Sequence, residues 1–264
     1  MRYTVGERTP WYTPARGLTW RRALVRFTPS PAPLLQRLAQ VAALEWVVVR
    51  LDLARVELVA LRSPDAKLVE FARNVPGVIA AIDGGYFEPN LEPSGLLVSN
   101  GRRFGSPGRR GGSGVLVVSD GRADLLPIDS RDGGAADFDG GAGLAVQCGP
   151  RVIERGGAVG IYRNDGEQFA RTVACVRDGG RTLDLILAWE PGASLRGPTL
   201  YDMARMLAAP SPVGDESGCE LALNLDGGPS TGVFVRGSRE EGAPPYEHAP
   251  IGPTPWLLVA RERR

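Results

Sequence analysis

The sequence has one histidine, His248, one lysine, Lys67, and three cysteines, Cys148, Cys175 and Cys219. Each scarcity excludes a class of chemistry. A Ser-His-Asp hydrolase would have to depend on His248, which stands in the loop-like run Pro244-Pro245-Tyr246-Glu247-His248-Ala249-Pro250, so a conventional triad is not expected. The cysteines lie far apart in apolar, strand-like runs with no Cys-x-x-Cys or Cys/His cluster, which argues against structural zinc. Their odd number argues against a disulfide-rich scaffold, and buried free thiols are the expectation. No window approaches the ~18 apolar residues of a membrane span, and Met1-Arg2-Tyr3-Thr4-Val5-Gly6 lacks an apolar signal core. Export is left open, because a signal could have been removed. The formal net charge is +1, so no global field draws the chain to nucleic acid or to an anionic membrane. Nothing forms a recognisable all-protein metal cage, and neither metal nor cofactor is expected.

What is present is glycine, arginine and short apolar runs. At 264 residues and 43% hydrophobic, the chain can bury a core as one large domain. Strand signals recur along it. Residues 17–23 read as the first strand, 46–53 and 56–61 as a hairpin pair, and further runs follow at 77–82, 95–98, 114–118, 143–148, 171–176, 183–187, 219–225, 232–235 and 256–260. A short helix is expected at 67–73. A clearer one spans 200–208, where Leu200, Met203, Ala204 and Leu207 recur at helical spacing and Thr199 is a suitable N-cap. Many strands and few helices without βαβ alternation indicate an α+β fold of antiparallel or mixed sheets in a single domain. The segment 101–112, with Arg102, Arg103, Arg109 and Arg110, reads as a mobile hairpin loop, or less readily as an anion-binding lid. Asp132, Asp137 and Asp139 lie among glycines without EF-hand spacing, which makes calcium a weak reading.

Two apolar runs end in the same way. Gly77-Val78-Ile79-Ala80-Ala81-Ile82 delivers Asp83-Gly84-Gly85-Tyr86-Phe87, and Leu221-Ala222-Leu223-Asn224-Leu225 delivers Asp226-Gly227-Gly228-Pro229-Ser230. Carboxylates on strand ends backed by glycines build polar pockets on a rigid frame. An Asp-Gly turn between strands would produce the same pattern, and the chain holds 35 glycines.

The order of four blocks resembles the phosphodiester glycosidase family, whose members include an enzyme removing N-acetylglucosamine from a phosphodiester. Ala81-Ile82-Asp83-Gly84-Gly85-Tyr86-Phe87 is similar to the family's Asn-Gly-Gly-Phe-Phe segment, followed by Pro93-Ser94-Gly95-Leu96. Gln147-Cys148-Gly149-Pro150 resembles its Gln-x-Gly-Pro block, and Arg171-Thr172-Val173-Ala174 its Arg-Thr-Ala strand. The last block pairs a helix with Asn224-Leu225-Asp226-Gly227-Gly228-Pro229-Ser230-Thr231. Asp83 stands where the family usually has Asn, and Pro229 replaces a glycine and removes one backbone donor. The likeness divides the chain into an N-terminal extension, 1–45, and a phosphodiester glycosidase-like domain, 46–264.

The resemblance implies hydrolysis of a sugar-1-phosphodiester at the bond from anomeric carbon to phosphate oxygen, on a small-molecule or glycan substrate. An oxocarbenium-like transition state needs a carboxylate nearby, for which Asp226 is the first choice and Asp83 the second. Arg171 suits the phosphate, with amides around Gly227, Gly228 and Ser230 adding hydrogen bonds. Asn224, Gly84, Gly85 and Gln147 complete the implied substrate contacts. Read from the residues alone, Arg171 is better taken as a strand-end ion pair and Ser230 as a turn hydroxyl, while Asn224 also fits a core amide and Gln147 a sheet-edge bond. Two other functions fit the same residues. One is a non-catalytic carbohydrate- or phosphate-binding module of envelope or polysaccharide assembly, and the other a phosphodiesterase cleaving P–O.

Overall fold

A computed structural model describes residues 3–28, 41–128, 143–209 and 218–263. These residues form three β-sheets whose paired strands all run antiparallel, with only two α-helices, Leu68–Asn74 and Leu200–Ala208. The expected α+β class is therefore corrected to a mostly-β fold. The helices fall where the periodicity places them, but they are too short to form a layer of their own. Thr199 caps the second helix, its side chain accepting from the Asp202 amide. The aspartate-rich stretch lies within 129–142, outside the described residues.

The largest sheet has nine strands. Its order runs Tyr3–Arg8, Leu18–Phe27, Ala43–Asp52, Thr182–Trp189, Arg171–Arg177, Leu221–Gly227, Arg151–Glu154, Ala158–Val159, with Tyr12–Ala15 beside Leu18–Phe27. Residues 17–23 thus begin the third strand rather than the first. A second sheet orders Arg122–Pro127, Gly114–Ser119, Leu144–Cys148, Leu97–Ser99 and Arg102–Gly105. The third orders Tyr246–His248, Val233–Val235, Val78–Asp83, Trp256–Glu262 and Val56–Arg62.

Val47, Val49 and Leu51 enter the central core between sheets, whereas Trp46 and Val48 pack on the other face with Met203, Met206 and Leu207. A strand covered on both faces needs apolar residues at every position, which explains the unbroken run Trp46-Val47-Val48-Val49. Within this sheet Asp184 is fully buried yet held by Arg50 at 2.7 and 2.8 Å and by Arg177 at 2.8 Å. Its charge is paired and hydrogen-bonded, as burial requires.

Three further expectations change. Ala43–Asp52 and Val56–Arg62 are consecutive strands but not a hairpin, because the first pairs with Leu18–Phe27 and Thr182–Trp189 and the second with Trp256–Glu262 in another sheet. The arginine segment is a hairpin arm and a turn rather than a loop throughout. Arg102–Gly105 is an edge strand against Leu97–Ser99, and Arg109–Gly111 forms a 3-10 turn. Cys175 and Cys219 are joined in a disulfide with Cα atoms 5.5 Å apart, so only Cys148 is a buried free thiol. The bridge forms because Cys219 stands just ahead of Leu221–Gly227, the strand that pairs with the one carrying Cys175.

Candidate active site

The two Asp-Gly-Gly turns meet. Asp83 ends a strand of the third sheet and Asp226 lies at the end of a strand of the nine-stranded sheet. The Asp226 amide donates to the Gly84 carbonyl at 3.0 Å, and the Gly84 amide donates to the Trp256 carbonyl at 3.0 Å. The glycines allow this approach. A Cβ on Gly84 would lie 2.7 Å from the Trp256 carbonyl oxygen, and one on Gly227 2.9 Å from that of Ala170.

Asp83 is completely buried. Its Oδ1 accepts from the Thr172 hydroxyl at 2.8 Å and the Gly232 amide at 3.2 Å, while Oδ2 has no hydrogen-bond partner among the described residues. Burial, and then the nearby Asp226 charge, push its carboxyl well above the usual range despite those two bonds. Burial also raises Asp226, to about 6, against hydrogen bonds from Ser230 and the Gly227 amide. The Asp226 charge thus works against ionisation of Asp83.

Arg171 is the register partner of Gly227, one residue beyond Asp226. Its guanidinium donates to the carbonyls of Pro198 at 3.3 Å and Glu167 at 2.9 Å and lies 5.6 Å from the centre of the Phe169 ring. No carboxylate among the described residues pairs with it within 4.0 Å, so the strand-end salt bridge is absent there. Burial lowers its pKa, and the charges of Asp165, Tyr86 and Glu167 oppose that shift.

Asn224 donates to the carbonyls of Gly149 at 3.0 Å and Leu225 at 2.6 Å and to the Tyr86 hydroxyl at 3.3 Å, leaving its buried Oδ1 without a partner among the described residues. The Tyr86 hydroxyl donates to the same Gly149 carbonyl, and burial raises its pKa. Ser230 is buried, and its hydroxyl reaches both the Pro253 carbonyl, at 3.2 Å, and Asp226. One hydroxyl proton serves one acceptor at a time, so Ser230 tunes Asp226 and is poorly placed as a nucleophile.

Other expected ligands are occupied by the protein itself. Gln147 accepts from the amides of Leu96 at 3.0 Å and Gly108 at 3.1 Å, and donates to the carbonyls of Gly108 at 2.6 Å and Gly112 at 2.9 Å. That uses the full capacity of the side chain. Gln147 clamps the 95–112 segment against the site. The Gly228 amide donates to the Ala170 carbonyl at 2.8 Å and the Gly227 amide to Asp226, so neither is left for phosphate. Gly85 packs over Val146 and Gln147, where a Cβ would meet them at 3.0 and 3.2 Å.

Asp83, Asp226, Gly84, Asn224 and Ser230 therefore converge, with Arg171 beside Gly227. Four contributors were not singled out from the sequence: Thr172, Tyr86, Gly149 and Gly232. Thr172 and Tyr86 adjoin motif residues, but their hydrogen bonds span 89 and 63 positions. No local pattern carries that information. His248 stacks on Trp189 with ring centres 3.9 Å apart, and burial lowers its pKa.

Comparison with known proteins adds four findings. A sequence model of the phosphodiester glycosidase family matches residues 76–254. The fold is similar to the catalytic domain of zebrafish N-acetylglucosamine-1-phosphodiester alpha-N-acetylglucosaminidase, auto-inhibited by its pro-peptide, with TM-score 0.66 and 16% identity over 100% of this chain and 89% of that one. It is also similar to a hypothetical protein from Synechocystis, with TM-score 0.56 and 14% identity over 94% of this chain and 62% of the other. No curated protein matches the chain by sequence.

Proposed function

The chain belongs to the phosphodiester glycosidase family, and we propose that it hydrolyses a sugar-1-phosphodiester between the anomeric carbon and the phosphate oxygen, releasing free sugar and a phosphomonoester. The observation that carries this reading is the Asp226–Gly84 hydrogen bond at 3.0 Å, which draws two carboxyl groups of unlike burial into one site. Asp226, ionised above about pH 6, is the carboxylate for the developing oxocarbenium ion or its attacking water. Asp83, fully buried in the same site, is pushed well above the usual carboxylate range by burial and by the Asp226 charge. Arg171, held by carbonyls with no counter-carboxylate among the described residues, takes the phosphate. A phosphomonoester leaves more readily than a sugar hydroxyl, so stabilising its charge matters more than protonating it.

The test is release of reducing sugar from a panel of sugar-1-phosphodiesters. N-acetylglucosamine heads the panel because the zebrafish enzyme of similar fold carries that sugar in its name. Asp226→Asn should lower kcat/KM on the order of 10³-fold. Water labelled with oxygen-18 should place its label in the sugar. Label in the phosphate would indicate P–O cleavage, and phosphodiester binding without turnover a binding module.

A further inference from the structure

Four large apolar side chains are exposed among the described residues: Tyr162 at 77%, Phe169 at 46%, Leu195 at 45% and Ile251 at 62%. Single exposed hydrophobes are ordinary, but a group gathered at one place marks a binding surface. Three of these are tied to the turn that carries the candidate site. Phe169 stands two residues before Arg171, whose guanidinium lies over its ring. The Leu195 carbonyl accepts from the Ala170 amide at 2.9 Å, and the Ala170 carbonyl accepts from Gly228 at 2.8 Å. On the other side of the same turn, the Pro229 carbonyl accepts from the amides of Ile251 at 3.0 Å and Gly252 at 2.8 Å. Phe169, Leu195 and Ile251 thus flank the Gly227-Gly228-Pro229 turn.

Resting on the glycosidase reading, we propose that this rim is the aglycone subsite and that the natural aglycone is apolar, an alkyl or prenyl chain esterified to the sugar phosphate. With the sugar at the carboxyl pair and the phosphate at Arg171, the rest of the phosphodiester must leave past Phe169. The charge around Arg171 favours the same class. Asp165 and Glu167 act on its guanidinium from the same loop, and Arg196 beside Leu195 is neutralised by Glu190 at 3.0 Å. A polyanionic aglycone would meet carboxylates there, whereas an uncharged chain covers apolar surface. In the reaction the C1–O(phosphate) bond breaks and water oxygen bonds to C1. The water proton passes to solvent or to the departing alkyl phosphate.

The experiment compares methyl, butyl and hexyl esters of one sugar-1-phosphate with a glycerol ester. Lengthening the alkyl chain leaves the leaving phosphate's chemistry unchanged. From methyl to hexyl, kcat/KM should rise about tenfold or more, with the glycerol ester no better than the methyl. Leu195→Ser combined with Ile251→Ser should lower kcat/KM for the hexyl ester at least about fivefold more than for the methyl ester. Turnover with no dependence on chain length, or preference for glycerol, overturns the apolar subsite and leaves the glycosidase reading intact. If no ester is turned over, calorimetry with hexyl phosphate against methyl phosphate decides. Tighter hexyl binding, lost in the double variant, sustains the subsite while the glycosidase reading falls. Equal affinity overturns the subsite.

Discussion

Asp83 and Asp226 share a motif and a place but not an environment. Asp83 is sealed between Thr172 and Gly232, while Asp226 keeps a partial opening and is tempered by Ser230. Raising a carboxyl's pKa from 3.8 to about 6 means that the folded protein resists ionisation which the unfolded chain accepts. The stability that Asp226 contributes is fully present below pH 4. It is lost between pH 4 and pH 6, and the deficit stays constant above that. Asp226→Asn removes this titration. The variant should melt about 5 °C above the wild type at pH 7, and the gap should close as the pH falls to 4 in calorimetric scans. Activity and stability then move in opposite directions at one residue. Asp83→Asn behaves differently, because an amide avoids the cost of a fully buried charge while its oxygen still accepts from Thr172 and Gly232. It should keep activity within about tenfold and leave the acid limb of the kcat/KM profile near pH 6. Loss of activity as deep as that of Asp226→Asn would place Asp83 in the chemistry itself. The sequence displays both carboxylates with their glycines. It could not display the unequal burial that divides their roles, which arises from residues dozens of positions away.

The strands Arg171–Arg177 and Leu221–Gly227 together carry Arg171, Thr172, Asn224 and Asp226, and their relative position decides whether the site exists. The Cys175–Cys219 disulfide ties them 44 residues apart in sequence. A loop of that length restrains the unfolded chain by about 4 kcal/mol on the chain-entropy view. Cys175→Ala/Cys219→Ala should lose stability of that order in urea unfolding. Under denaturing, non-reducing conditions the wild type should show one reactive thiol, Cys148; three would refute the bridge. Cysteine spacing alone gave no sign of this pairing, because the odd third residue masked it. The same limit explains the false hairpin at 46–61. Each strand was legible from its apolar run, but strand partners are set by packing across the core, which short-range patterns do not encode. Helices, whose bonds are local, were placed nearly to the residue.

All three sheets contribute to the site. The third brings Asp83, the nine-stranded sheet brings Asp226, Arg171, Thr172 and Asn224, and the second ends at Cys148, delivering the Gly149 carbonyl to Tyr86 and Asn224. Hydrogen bonds tie the nine-stranded sheet to both others, from Asp226 to Gly84 and Thr172 to Asp83 on the third and from Asn224 to Gly149 on the second. Beneath them one hydrophobic cluster draws Val49 and Leu187 from the first sheet, Leu116 and Val146 from the second, and Ile82 and Leu258 from the third. A site held by a single lid could be lost while the rest of the molecule stayed folded. Here no sheet can move without parting one of these hydrogen bonds and opening the shared core. Activity and tryptophan fluorescence should therefore fall together in urea, with one midpoint and one slope. The buried Trp46 and Trp256 report the first and third sheets respectively. Activity lost well below the fluorescence midpoint would mean that the site sits on an independently melting element, contrary to the hydrogen bonds that bind the three sheets through it.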